Sequence, residues 1–207
     1  MRSLLIALLL YCCSTFVYAQ TDSTAITAKI RYPYIYAETG LSLGTHASAY
    51  ADLNMVFQKD NIISLYYLNC GRNSPTVPKD YGTDFFGLQP LQIVSMYGIT
   101  YGKVFYTNSP LLRYVLKGGI SAGTVSTPVN FVKVYGGGWF GPDYSYTNDK
   151  QFTVGILLNP EIEFPLGRYF GFTFGAFADI NPISTVAGIN LGLIFGKVRN
   201  HRTNYRQ

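Results

Sequence analysis

Residues Gln151 to Pro182 read QFTVGILLNPEIEFPLGRYFGFTFGAFADINP. Large apolar side chains recur at every second position, as Phe152, Val154, Ile156, Leu158, Ile162 and Phe164, and then as Phe170, Phe172, Phe174 and Ala176. Gly, Thr, Asn and Glu fill most of the positions between. A period of two marks strands, because successive side chains of a strand point to opposite faces. If the bulky row lies inside, the chain is a dissolved β-protein. If the small and charged row lies inside, the outside is greasy and its solvent is lipid.

The same alternation extends to the rest of the chain, where eight segments can be marked with no helix-period segment between them. The first, Tyr34 to His46, sets Thr39, Leu41 and Leu43 against Glu38, Gly40, Ser42 and Gly44. The second, Tyr50 to Lys59, sets Ala51, Leu53, Met55 and Phe57 against Asp52, Asn54 and Gln58. Ile62 to Arg72 forms the third; both of its faces are apolar, so its register stays open. The fourth, Leu91 to Tyr106, opposes Ile93, Tyr97, Ile99 and Tyr101 to Gln92, Gly98, Thr100 and Gly102. The fifth, Arg113 to Ser126, opposes Tyr114, Leu116, Ile120 and Ala122 to Arg113, Lys117, Gly119, Ser121 and Gly123. The opening stretch supplies the sixth and seventh, and Thr185 to Val198 is the eighth, with Ala187, Ile189, Leu191, Leu193 and Phe195 on its bulky side.

Connection lengths predict how the segments are arranged. Segments two and three, four and five, and six and seven are joined by compact turns at Asp60-Asn61, NSPLL and PLGR. Three to four needs about 18 residues and five to six about 24, well beyond ordinary turns. In an up-and-down order the compact turns share one end with both termini, and the two long loops lie at the other. Short turns on one side and long loops on the other are the pattern of outer-membrane barrels.

Glycine decides the faces. It is poorly suited to a solvated strand face, yet in a narrow eight-stranded barrel small inward residues make room for the few large ones. The sequence therefore predicts an all-β, eight-stranded antiparallel up-and-down transmembrane β-barrel over residues 34–198, with the apolar rows outward. Closure leaves no strand edge for lipid to meet. Pro160 cannot donate to a ladder and predicts a bulge or a missing bond near the rim that carries the compact turns. Lys103 points toward lipid, close enough to that rim for its ammonium to reach headgroups.

The ends and the bulk composition agree. Met1-Arg2, the apolar run Leu4 to Leu10 and Val17-Tyr18-Ala19 have the layout of a secretory signal peptide over residues 1–19, cleaved after Ala19. Residues 20–33 form a short polar lead. Cleavage removes Cys12 and Cys13 and leaves Cys70 without a disulfide partner. Charged residues make up 13% of the chain, against roughly 25% in ordinary soluble domains, and aromatic residues 16%. No apolar run long enough for a membrane-spanning helix follows the signal. The net charge of +5 traces to Arg2 and to Lys197, Arg199, Arg202 and Arg206, so residues 199–207 read as a basic tail and the body as neutral.

With its dyad pattern, loop asymmetry and closing strand AGINLGLIFGKV, the chain resembles the small bacterial outer-membrane β-barrels typified by the OmpA and OmpX membrane domains. That resemblance implies a membrane-embedded scaffold in the cell outer membrane, whose members brace the envelope, adhere, pass small solutes or carry surface enzymes.

The inward face collects Glu38, Asp52, Glu161, Glu163 and Asp179 with Arg113 and Lys117. Counting from the turns sets Lys117 level with Glu161 and Arg113 level with Glu163 on adjacent strands. The expectation is a charged plug that fills the lumen; a narrow cation-favouring pore is the alternative, given five acids against two bases. His46 near Ser48 is the nearest approach to a catalytic pair, and no orienting acid accompanies it, so no enzymatic activity is expected. The segment VYGGGWFGPDYSY offers Tyr135, Trp139, Phe140, Tyr144 and Tyr146 as a candidate recognition loop for an extracellular ligand or surface partner. No metal-ligand spacing, cofactor motif or nucleic-acid signature is present. The remaining alternative is a secreted soluble barrel that carries ligands; the leading reading is a monomer whose chief partner is outer-membrane lipid.

Overall fold

The computed structural model describes residues 33–79, 81, 89–109, 111–134 and 144–198. The predicted signal peptide with its cleavage after Ala19, the lead short of Pro33, and the basic tail 199–207 lie outside the described residues. Eight strands follow one another: β1 Tyr34–Gly44, β2 Ala47–Phe57, β3 Asn61–Asn73, β4 Leu91–Tyr106, β5 Arg113–Lys133, β6 Tyr144–Phe164, β7 Phe170–Ile180 and β8 Val186–Gly196. Each pairs antiparallel with the next, and β8 pairs back onto β1, closing an up-and-down barrel. The structure describes no α-helix.

The bulky rows face outward. Leu41 is 70% exposed, Ile120 71% and Phe152 70%, whereas Glu38, Asp52, Lys117 and Glu163 are all buried. Outward aromatic rings gather near the end that carries the three compact turns, here called the terminal end. Phe57 lies 6.4 Å from Tyr101, and Phe170 packs against Phe172 and Phe195 at 5.1 and 5.6 Å. Glycine on the inner face lets neighbouring strands approach. A Cβ on Gly119 would run into the Ile99 carbonyl and stand 2.7 Å from the Thr100 Cα.

β3 has one register after all: Ile62, Ser64, Tyr66, Leu68 and Cys70 turn inward, Ile63 and Leu65 outward. Both faces are apolar because the lumen itself is layered. In its outer half, away from the terminal end, Leu68, Cys70, Val94, Met96, Val125, Leu157, Phe177 and Val186 join Tyr50 and Tyr66 in an apolar core. The charged side chains lie mainly in the other half.

Two local expectations take definite form. The β6–β7 ladder breaks between Leu158↔Ala178 and Glu161↔Gly175 and resumes in the same register, so Pro160 produces a gap in pairing and no bulge. Lys103 is exposed opposite Asn61, next to the β2–β3 turn at the terminal end.

The connection between segments five and six is shorter than the sequence suggested. β5 runs on to Lys133 and β6 starts at Tyr144, so much of the expected 24-residue loop is a two-stranded arm. Its register shifts between Val129 and Val132, around Asn130 at φ 57°. β4 reaches β5 only as far as Ser126, and β7 reaches β6 only as far as Ile156, so beyond those points the arm's strands pair solely with each other. With no barrel wall on either side, neither face of the arm is forced apolar, and the alternation that reveals a strand fades.

Candidate functional site

Parity along each strand selects which side chains enter the lumen, and register sets their depth. Arg113 and Glu163 are direct cross-strand partners on β5 and β6, and their side chains form a buried ion pair. Arg113 Nη1 also donates to the Val198 carbonyl at 2.9 Å and to the Tyr34 hydroxyl at 3.1 Å, and its guanidinium stacks 5.0 Å from the Tyr36 ring centre. Lys117 Nζ lies 2.8 Å from Glu161 Oε2 on the neighbouring strand and 2.5 Å from Asp52 Oδ2 on β2. The second of these bonds spans the barrel.

Uncharged donors complete the network. Tyr36 donates its hydroxyl to Glu163 Oε1 at 2.7 Å, Tyr50 to Glu38 Oε1 at 2.6 Å, and Asn159 its amide to Glu161 Oε1 at 2.6 Å. Ser64 donates to Asn54 Oδ1 at 2.5 Å. The sequence reading passed over Tyr36, Tyr50 and Asn159 as network members, although each stands two places from an inward carboxylate and shares its face. A buried ion that is paired and hydrogen-bonded escapes most of the penalty an isolated charge would meet there.

Asp179 stands apart from this network. It is buried on β7 level with Leu157, toward the outer end, and accepts from Asn181 Nδ2 at 3.1 Å. Asn181 then shapes the β7–β8 turn, its Oδ1 taking the Ser184 backbone N–H at 2.8 Å.

At the outer rim His46 and Ser48 do not pair with each other. His46 Nδ1 lies 2.9 Å from Thr45 Oγ1 and its Nε2 3.5 Å from Ser184 Oγ, while Ser48 donates to Ser42 Oγ at 3.2 Å. Burial, and secondarily the Arg72 charge, hold the His46 imidazolium below its ordinary range.

The candidate recognition loop divides. Tyr135, Trp139 and Phe140 lie outside the described residues, whereas Tyr144 and Tyr146 belong to β6 within the arm and not to a loop. Tyr144 is buried, stacked at 5.5 Å on Tyr81 and meeting Phe131 edge-on at 6.5 Å. Tyr146 is 40% exposed and lies 5.4 Å from Phe131. The aromatic residues that the sequence grouped as one surface are thus partly spent on bracing the arm.

No family model and no curated protein sequence matches the chain. Solved structures do. The N-terminal β-barrel domain of Pseudomonas aeruginosa OprF is similar with a TM-score of 0.56 at 10% identity, over 79% of this chain and 96% of that one. Neisserial surface protein A gives 0.49 at 11% identity over 80% and 95%, and Yersinia pestis Ail 0.46 at 9% identity over 79% and 97%. The likeness to the OprF domain shows that this chain has the fold of an eight-stranded outer-membrane β-barrel.

Proposed function

We propose that the protein is an integral outer-membrane barrel, monomeric and non-enzymatic, which serves as a closed scaffold and presents a surface for interaction through its arm and outer loops. The observation that carries this reading is sidedness: the charged side chains of the strands' polar face point inward, where Arg113 and Lys117 pair with Glu163, Glu161 and Asp52, and the Leu, Ile and Phe rows point outward. An apolar exterior of this kind is at rest only in hydrocarbon. The compact turns then face the periplasm and the arm faces the outside. The lumen is a plug because ion pairs fill one half and apolar side chains the other. In the test, membranes extracted without detergent retain the protein, and unboiled samples migrate differently from boiled ones on a denaturing gel. Recovery as a detergent-free monomer with a single migration position overturns the proposal.

The excess of inward carboxylates over cations favours a second reading, a narrow cation-favouring pore. On the plug reading, planar bilayers holding the purified barrel stay closed. Steady cation conductance that falls in Glu161→Gln would make the pore the better reading.

A further inference from the structure

The charged network in the lumen does not balance. Glu38, Asp52, Glu161 and Glu163 face only Arg113 and Lys117, leaving two carboxylates without a counter-charge. Glu38 has no cationic partner: Tyr50 serves its Oε1, and its Oε2 is buried without a hydrogen bond. Carboxylate oxygens of Glu38, Glu161 and Glu163 lie within 4.8 Å of one another, the one such grouping among the described residues. Ca²⁺–oxygen bonds run roughly 2.3–2.6 Å, so donors around one ion stand up to about 5 Å apart, and the three carboxylates are grouped on the scale of one coordination sphere.

A separate observation falls at the same place. Asn190 on β8 is 1% exposed, yet neither its Oδ1 nor its Nδ2 has a hydrogen-bond partner. Its Oδ1 and the Glu161 Cγ lie 2.6 and 2.8 Å from the point a Cβ on Gly175 would occupy, so the amide reaches into the notch beside Glu161. Buried polar groups are rarely left unsatisfied. Here an unbonded amide oxygen stands beside Glu161, and Glu38, within the same group of acids, keeps an unbonded carboxylate oxygen.

We propose that Glu38, Glu161 and Glu163, with Asn190 beside them, form a binding site for one divalent cation inside the barrel, Ca²⁺ being the best fit. The donors are all hard oxygens, which suit Ca²⁺, Mg²⁺ or Mn²⁺ over softer metals. Ca²⁺ tolerates an irregular oxygen cage, whereas Mg²⁺ requires near-octahedral geometry at shorter distance. Two positive charges cancel the excess, and each carboxylate keeps its existing partner because every oxygen has a second lone pair. The three acids come from β1 and β6, far apart in the chain, so sequence spacing gives no hint of them. The site rests on the reading of the lumen as a closed, charged plug.

The test uses the full barrel folded in detergent micelles with Ca²⁺ or in EDTA, then dialysed against metal-free buffer. The expected result is one retained Ca²⁺ per chain by elemental analysis and a higher unfolding temperature in the Ca²⁺ sample. Tb³⁺ should bind in its place with emission sensitised by Tyr36 and Tyr50, whose hydroxyls touch two of the acids. Glu38→Gln, which removes a charge that no cation pairs, should still fold, as judged by heat-modifiable migration, and should lose both the retained ion and the Tb³⁺ signal. Absence of retained Ca²⁺ and of sensitised Tb³⁺ in the folded wild-type barrel overturns the cation site, meaning that protons alone neutralise the acids. Equal retention by Glu38→Gln overturns it too, since the ion would then sit elsewhere. Lys117→Met separates the two ideas: a large loss of stability without any Ca²⁺ binding leaves the plug standing and removes only the ion, whereas unchanged stability removes the plug itself.

Discussion

Lys117 joins β5 to a neighbouring strand through Glu161 and to the far wall through Asp52. Removing its charge strands two buried carboxylates, so Lys117→Met should cost about 3–5 kcal/mol, read as a lower urea midpoint for the folded barrel in micelles. Asp52→Asn keeps the Glu161 contact and should cost less. Depth counted from the compact turns finds Arg113 opposite Glu163, whereas Lys117 lies opposite Asn159 and reaches Glu161 two places along β6. The bond from Lys117 to Asp52 cannot be counted this way, because a sequence shows which residues turn inward but not which inward residues meet across a barrel. At the outer rim, His46 gives a pH effect of definite sign. The unfolded chain takes up a proton near pH 6.5, and the folded one only at lower pH. Stability is therefore full above that value and declines as the pH falls through it. His46→Gln should flatten this slope in a thermal melt series run between pH 8 and pH 5, roughly the range in which histidine titrates.

Among the elements, a strand was legible wherever one face was polar. Seven segments alternate because one side meets lipid-compatible apolar surface and the other a crowded polar lumen. β3 was illegible because Leu68 and Cys70 enter the apolar half of that lumen, so its inner and outer rows look alike. The arm was illegible for the opposite reason, both of its faces being free of the barrel wall. The distinction has a measurable consequence along β5. Ile120 pairs with Ile99 midway along β4, so Ile120→Arg should destabilise the barrel by about 2–4 kcal/mol in lipid or micelles. Val132, 64% exposed on the arm, lies beyond the barrel, and Val132→Arg should leave the unfolding midpoint nearly unchanged. Comparable losses for the two variants would place the arm in hydrocarbon.

For the molecule as a whole, closure is the condition on which the rest depends. In hydrocarbon an unpaired backbone group costs several kcal/mol, so a barrel short of one strand has two intolerable edges. Deleting Val186–Gly196 should accordingly abolish the heat-modifiable form altogether on a gel, rather than lower its melting temperature by degrees. The eight-stranded count and outward apolar rows were readable from alternation and turns, while the layered lumen depended on register. The pairing of Tyr36 with Gly196 and of Gly44 with Gly188 joins the first strand to the last. During synthesis β1 emerges long before its second neighbour exists, so it must wait, half-dressed, until the final strand is delivered. Such a chain cannot mature piecemeal as it leaves the ribosome, and its journey to the membrane must be made unfinished.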